Sequence, residues 1–174
     1  MLDAEPVFAT SRLQCRRWRP TDLQRLVEVY ADPVAARWVD DGAPITREEA
    51  ESWLDVTNRN YATRGYGMFA LERGGEVIGF LGLVHPNQQE AVEVKYSFLR
   101  SCWGQGYASE AVAGALKYAE AVHGIEHIVA TVAPENLASQ RVLLKCGFKH
   151  AHRQDDTTEV FSWRSAKHDG SHSG

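Results

Sequence analysis

The amino-acid sequence predicts a mixed α/β domain whose sheet is mostly antiparallel. Hydrophobic spacing switches repeatedly between a helical and a strand-like period, so both kinds of element alternate along the chain. Three strand-like runs follow one another with only short turns between them, which is typical of an antiparallel meander. The chain has 174 residues, 44% of them hydrophobic, which suits one globular domain.

The first strand is predicted at residues 12–19, where apolar and charged side chains alternate. Pro20 ends this strand. Thr21 followed three positions later by Gln24 resembles a capping box, and apolar residues then recur at helical spacing to about residue 31. One helix is therefore expected directly after the first strand.

A second helical region precedes most of the sheet. Asp32 and Pro33 predict the start of a shorter helical piece. Thr46 with Glu49 repeats the capping pattern ahead of another apolar periodicity. Two helices are therefore expected before the meander.

The remaining elements follow from periodicity and turn residues. The meander strands are predicted at 68–72, 77–84 and 91–99, separated by turns at 73–75 and 85–87. After them come a helix over 108–122 ending at Gly124, a strand over 125–132, a helix over 134–146 closed by Gly147, and last strands at Phe148 and 157–163.

Charge balance and cysteine usage disfavour several classes of protein. With 19 basic and 23 acidic side chains the net charge is -4, which argues against a general nucleic-acid binder. Cys15, Cys102 and Cys146 lie far apart and lack the spacing of a disulfide framework or a zinc site, so no metal is expected. This usage fits a reducing cytoplasm, and no apolar run approaches the length of about 20 residues that predicts a membrane span.

The expected domain organisation has three parts. Residues 1–10 carry two acidic side chains and no apolar run, and are expected to be a flexible N-terminus. Residues 11–164 form the single domain. Residues 165–174 are mainly small and polar and are expected to be a disordered tail.

A glycine loop, Gly104-Gln105-Gly106, lies between a predicted strand and a predicted helix. Glycines let backbone N–H groups converge without obstruction, and a helix N-terminus adds partial positive charge, so this junction is suited to phosphate. A simple turn is the alternative interpretation. A P-loop is disfavoured because no Gly-Lys-Ser/Thr follows, and a dinucleotide fingerprint because Ser109 stands at its third glycine.

Two motifs on either side of the long predicted helix carry a family resemblance. One is Trp103-Gly104-Gln105-Gly106-Tyr107-Ala108; the other spans residues 136–148, from Asn136-Leu137-Ala138-Ser139 to Lys145-Cys146-Gly147-Phe148. They resemble the CoA-diphosphate loop and the Asn-x-x-Ser helix of the GNAT superfamily of acyl-CoA-dependent N-acyltransferases, and more closely its branch that acetylates ribosomal-protein N-termini. Trp103 stands where the general pattern has Gln or Arg. The resemblance covers roughly residues 11–163.

The resemblance implies a sheet that is splayed near Leu99 to admit acetyl-CoA and covered by helices on both faces. It implies acetyl-CoA as co-substrate, no metal, and direct attack of an amine in a ternary complex. A backbone N–H near Phe98 or Leu99 would polarise the thioester carbonyl, and Arg100, Arg141 and Lys145 are cationic neighbours or merely solvated charges. The residues expected to contact the cofactor are Phe98, Leu99, Arg100, Trp103, Gly104, Gln105, Gly106, Tyr107, Ala108, Ser109, Asn136, Ser139 and Lys145.

Glu93 and Ser139 are the candidate catalytic residues. Amines are mostly protonated at neutral pH, so a carboxylate base is useful, and Glu93 stands where many family members carry one. Strand alternation places it opposite its apolar neighbours, although a solvated strand residue is the alternative. Many members protonate the leaving thiolate with a tyrosine at the position of Leu143, whereas the resembled branch offers a serine that Ser139 matches. Weaker substitutes for the base are Glu72, Glu90 and Glu159.

The acceptor is expected at the opposite mouth of the cleft, bordered by residues 21–61, 64–67 and 85–89. The branch resemblance implies a protein or peptide N-terminus as acceptor. A small amine is the alternative acceptor. A non-catalytic acyl-CoA-binding module is the alternative to an enzyme. The branch includes dimers, so a homodimer is a further expectation, while no specific nucleic acid and no membrane partner is expected.

Overall fold

The structure, a computed structural model, describes residues 6–31 and 46–166. Within these residues one sheet of eight strands packs with four α-helices. In chain order the elements are β1 (Phe8–Ala9), β2 (Gln14–Arg17), α1 (Leu23–Ala31), α2 (Arg47–Arg64), β3 (Met68–Arg73), β4 (Glu76–Val84), β5 (Val92–Phe98), α3 (Tyr107–His123), β6 (His127–Val132), α4 (Leu137–Lys145), β7 (Lys149–Asp155) and β8 (Thr158–Arg164).

The sheet has the strand order β1-β2-β3-β4-β5-β6-β8-β7. Neighbouring strands are antiparallel except β5 and β6, which run parallel and are joined through α3, the crossover that a parallel pair requires. Strands β3, β4 and β5 form the expected meander. The predicted mixed α/β fold with a mostly antiparallel sheet is therefore confirmed.

Helices cover both faces of the sheet, as expected. In β3, Phe69 and Leu71 belong to a buried cluster with α3 and α4, whereas Met68 and Ala70 belong to a second cluster with α1 and α2. This division follows from the alternation of side chains along a strand. On α3 the fully buried positions are mainly small, which lets the helix lie close to the sheet: Ala111, Val112, Ala115 and Ala119.

The entry into α1 differs from the predicted capping box. Pro20–Asp22 forms a 3-10 turn, and the Asp22 carboxylate accepts the backbone N–H of Arg19 at 2.7 Å. Asp22 also receives two hydrogen bonds, of 2.7 and 2.9 Å, from the buried guanidinium of Arg16. Thr21 therefore lies inside this turn instead of capping it, and the Asp22 carboxylate serves both as the cap and as the counter-ion of the buried Arg16.

The second predicted cap is present. Thr46 is the N-cap of α2, and its side-chain oxygen accepts the N–H of Glu49 at 3.1 Å. The expected helical piece at Asp32 and Pro33 lies outside the described residues, as does the tail from residue 167.

Ordered structure extends beyond the expected domain limits of 11 and 164. Phe8 pairs with Cys15 in the sheet, so part of the N-terminus expected to be flexible is a strand. At the other end, Ser165 is fully buried and donates its N–H to the Glu126 carbonyl at 2.9 Å. A two-residue strand offers too few positions for an alternation to be recognised.

Candidate active site

The parallel strands β5 and β6 separate soon after they meet. They pair only at Val92 with Ile128 and at Glu93 with Val129. Beyond these pairs a cavity of about 410 Å³ opens between the strands, bounded by Val94–Phe98, by Ala130–Val132 and by α4. The splay expected near Leu99 therefore begins earlier, directly after Glu93.

Alternate residues of β5 direct their backbone N–H and C=O groups toward this gap. Leu99 donates its N–H to the Ile78 carbonyl of β4 at 2.9 Å, so its N–H does not face the gap, contrary to one of the two expectations. In an antiparallel pair the hydrogen-bonded positions alternate, so Val94, Tyr96 and Phe98 direct their backbone groups toward β6. Of the two residues expected to polarise a carbonyl in the gap, Phe98 has the suitable orientation.

The glycine loop closes one end of the cavity. Gly104 and Gly106 line it and have φ values of 75° and 81°, a left-handed conformation that favours glycine. Gly106 is the N-cap of α3, whose first residues Tyr107 and Ala108 also line the cavity. The helix N-terminus therefore lies at the mouth, where an anion is favoured.

A clamp from the N-terminal segment fixes this loop. Arg12 donates to the Gln105 carbonyl at 2.8 Å and to the Glu110 carboxylate at 2.8 Å, and its guanidinium lies 4.3 Å from the centre of the Tyr107 ring. Burial raises the pKa of Glu110, but hydrogen bonds from Thr10 and Arg12 more than offset this, so its pKa is lowered overall. Sequence reasoning missed Arg12, because 98 residues separate it from Glu110.

Trp103 ties the loop to β5. Its indole Nε1 donates to the Phe98 carbonyl at 2.9 Å, and the guanidinium of Arg100 lies 5.8 Å from the centre of its ring. The side chain lines the cavity but remains 41% exposed. The residue that departs from the family pattern thus forms a structural hydrogen bond of its own.

The start of α4 brings polar groups to the opposite wall. The Asn136 side chain caps the helix by accepting the Ser139 N–H at 3.1 Å, and the Ser139 hydroxyl lies 2.7 Å from the Tyr96 hydroxyl. All three residues line the cavity. Burial, partly offset by the bond with Ser139, raises the pKa of Tyr96 to about 12. Sequence reasoning missed Tyr96, whose place in a strand pattern carries no catalytic signal.

Glu93 is buried, with only 4% of its surface exposed, so it is not the solvated strand residue of the alternative interpretation. It lies on the face of β5 opposite Val92 and Val94, which pack in the α3 cluster. The Lys95 ammonium, on the same face, lies 3.8 Å from its carboxylate. Glu93 does not line the cavity but lies at the point where the strands separate.

The weaker substitutes for the base are placed less suitably. Glu72 accepts a hydrogen bond from the buried Arg16 at 2.8 Å. Glu159 pairs with His150 at 2.7 Å on the outer strands. Glu90 is exposed before β5. Glu93 therefore has the most suitable position of the four.

Most of the expected cofactor residues are brought together at the cavity. Those that line it are Phe98, Trp103, Gly104, Gly106, Tyr107, Ala108, Ser109, Asn136 and Ser139. Leu99, Arg100, Gln105 and Lys145 do not line it. Cys102 and Leu143 line it without having been expected to contact the cofactor.

Among residues 6–31 and 46–166, no three His, Cys, Asp or Glu side chains are grouped to hold a metal ion. Within the same ranges, no helix has both the length and the apolar character needed to cross a bilayer.

Known proteins resemble this chain over most of its length. An acetyltransferase (GNAT) domain matches residues 12–149. The uncharacterized protein YkkB of Bacillus subtilis is 30% identical over 156 residues, which cover 86% of this chain and 89% of that protein. The FsC-acetyl coenzyme A-N(2)-transacetylase of Aspergillus fumigatus is 27% identical over 160 residues, covering 86% and 67% respectively.

Solved structures share the fold. A ribosomal-protein alpha-N-acetyltransferase in complex with coenzyme A has a TM-score of 0.76 at 17% identity, covering 92% of this chain and 98% of that one. Spermidine N-acetyltransferase from Vibrio cholerae, in complex with coenzyme A and spermine, has a TM-score of 0.76 at 18% identity, covering 90% and 98%. Because the family match spans both the glycine loop and α4, we conclude that this chain belongs to the GNAT acetyltransferase family and is an N-acetyltransferase.

Proposed function

We propose that this enzyme acetylates the α-amine of a protein or peptide, with Glu93 as general base. The observation that carries the proposal is the gap between β5 and β6, which begins at buried Glu93 and ends at the glycine loop. A base and an anion-binding loop at opposite ends of one opening suit a thioester whose other end is a phosphorylated nucleotide.

The residues around the gap fit acetyl-CoA, the co-substrate of the family. Backbone groups of Tyr96 face the gap and can pair with the amides of a pantetheine arm as with an added strand, whereas the Phe98 carbonyl already accepts the Trp103 indole N–H. Gly104 and Gly106 leave the N-terminus of α3 open to a diphosphate. We propose the same lining residues as the cofactor site, with Leu99, Arg100, Gln105 and Lys145 outside the cavity itself.

The chain's own groups account for each chemical need of the transfer. Glu93 takes the proton that the amine loses as it attacks, directly or through a water molecule. The Phe98 N–H stabilises the negative charge on the carbonyl oxygen. The Ser139 hydroxyl donates a hydrogen bond to the departing sulfur. Acetyl-CoA supplies the activated acetyl group and a thiolate leaving group.

The surroundings of Glu93 favour an α-amine over a polyamine. An α-amine has a pKa near ~8 and a lysine-type amine one near ~10. A larger fraction of the α-amine is therefore neutral and able to attack at neutral pH. Lys95, 3.8 Å from the Glu93 carboxylate, adds a positive charge beside the base and repels an acceptor that carries several ammonium groups. The structural likeness to a ribosomal-protein alpha-N-acetyltransferase supports the same choice.

A small amine is the second candidate, supported by the likeness to a spermidine N-acetyltransferase. The two acceptors are separated by measuring acetyl-CoA-dependent mass gain across pools of N-terminal peptides, lysine peptides, polyamines and aminoglycosides. We expect product in the N-terminal peptide pool. Product confined to polyamines or aminoglycosides would overturn the proposed acceptor but leave the assignment of acetyltransferase activity unchanged.

The role of Glu93 is tested by replacing it with glutamine. Glu93→Gln should lower kcat about 100-fold or more, because the amide cannot accept a proton. Glu90→Gln is the matched control, since Glu90 is an exposed carboxylate just before the same strand, and it should retain full activity. Equal rates for Glu93→Gln and the wild type would remove Glu93 from the mechanism.

A further inference from the structure

The Tyr96 and Ser139 hydroxyls lie 2.7 Å apart and connect β5 to the first turn of α4. Both side chains line the cavity between the separated strands. The position where many family members carry a tyrosine is occupied here by Leu143, which is 1% exposed and has no polar side-chain atom. Tyr96 therefore brings a phenol to the same cavity from a strand instead of a helix.

The direction of the hydrogen bond follows from the chemistry of the two groups. A phenol is more acidic than an aliphatic alcohol and is the better donor, and with a pKa of about 12 Tyr96 retains its proton at neutral pH. The Asn136 side chain accepts the Ser139 N–H at 3.1 Å and so holds the backbone of Ser139. If Tyr96 donates to Ser139, the Ser139 hydroxyl keeps one hydrogen that it can direct into the cavity.

We propose that Tyr96 is a positioning residue, which orients the Ser139 hydroxyl so that it donates a hydrogen bond to the sulfur of the departing coenzyme A. This inference rests on the proposed function. In the step concerned, the amine nitrogen bonds to the carbonyl carbon, the C–S bond breaks, and its electron pair stays on sulfur. Glu93 holds the proton lost by the amine and passes it to water, and the sulfur gains its proton from water after it has left.

The kinetic test compares Tyr96→Phe, Ser139→Ala and the double variant. We expect each single variant to lower kcat about tenfold, roughly the effect of one hydrogen bond, with KM for acetyl-CoA little changed. The double variant should be no slower than Ser139→Ala, because the two residues act as one unit. Additive losses, or an unchanged kcat for Tyr96→Phe, would overturn the proposal.

The matched control is Tyr118→Phe. Tyr118 is also a buried tyrosine, its pKa is also raised to about 12 by burial, and its hydroxyl bonds to His123 at 2.8 Å, away from the cavity. We expect this variant to lose stability without losing kcat. A comparable loss of kcat in Tyr118→Phe would show that removing any buried tyrosine hydroxyl lowers kcat. That result would contradict a specific positioning role for Tyr96.

A second measurement needs no acceptor. The thiol of bound coenzyme A is titrated by the ultraviolet absorbance of its thiolate, with the complex of desulfo-coenzyme A as blank. We expect the wild type to lower the pKa of the bound thiol below that of free coenzyme A, and both single variants to return it toward the free value. An identical thiol pKa in wild type and Tyr96→Phe would refute the proposal. A thiol pKa that is lowered in the wild type and restored in Tyr96→Phe, without acetyl transfer to any N-terminal peptide, would instead refute the proposed acceptor and leave the role of Tyr96 standing.

Discussion

Trp103 both anchors the glycine loop and lines the cavity. Its indole nitrogen bonds to the Phe98 carbonyl, so the glycine loop is fastened to the last residue of β5. Its ring meanwhile lines the cavity and stays partly exposed. The same residue therefore fixes the loop and provides apolar surface for a ligand.

Replacing Trp103 separates these two contributions. Trp103→Phe keeps an aromatic ring but removes the donor to Phe98, so the loop should be held less firmly and KM for acetyl-CoA should rise about tenfold, as for one lost hydrogen bond. The rate at saturating acetyl-CoA should change little. Steady-state kinetics with varied acetyl-CoA tests this, and an unchanged KM would show that the hydrogen bond is not needed for binding.

Glu110 makes the stability of the loop clamp depend on pH. Its pKa in the folded state lies below the ordinary value of 4.5, so its stabilising effect is complete above about pH 4.5 and is lost as the pH falls through the folded-state pKa. We expect wild type to melt a few degrees above Glu110→Gln near neutral pH, with the difference shrinking in acid. Melting curves from pH 7 to pH 3 measure it. A difference that stays constant over that range would contradict the assignment.

At the scale of elements, strongly patterned segments could be predicted and weakly patterned ones could not. The helix α3 and the meander have long periodicities and glycine or turn residues at their ends, so their order and approximate limits followed from the sequence. β7 is exposed at all seven residues and therefore shows no alternation of buried and exposed positions. Its length became visible only in its pairing with β8.

The start of α3 gives a prediction about glycine. Gly106 has a φ of 81°, and an added Cβ would lie 3.3 Å from the Arg12 guanidinium. Gly106→Ala should therefore lose about 1 kcal/mol to backbone strain and also disturb the clamp at the cavity mouth. We expect a lower melting temperature together with a smaller rise in melting temperature on adding coenzyme A.

The matched substitution is at the other end of the same helix. Gly124 has a φ of 63°, and nothing lies within 4 Å of an added Cβ. Gly124→Ala should lose comparable stability while its response to coenzyme A equals that of the wild type. If both variants respond equally to coenzyme A, the geometry at Gly106 has no special part in binding.

For the whole molecule, the position of the site could be predicted but its internal contacts could not. The glycine loop and the Asn136 helix were recognised because each is a short continuous motif. The contacts of Arg12 with Glu110 and of Tyr96 with Ser139 join residues 98 and 43 positions apart, and the spacing within a single sequence carries no record of such pairs. The burial of Glu93 was likewise a consequence of tertiary packing.

The early separation of β5 from β6 makes the sheet two half-sheets, β1 to β5 and β6 to β8, joined along their seam by only two residue pairs. Amides that face the seam, such as those of Tyr96 and Phe98, should exchange with deuterium faster than those that bond to β4. A pantetheine arm lying in the seam would protect these amides from exchange and connect the two half-sheets by hydrogen bonds. The cooperativity and the free energy of unfolding would then depend on the fraction of enzyme that has acetyl-CoA bound. A higher concentration of acetyl-CoA would therefore make the protein unfold more cooperatively and resist unfolding better.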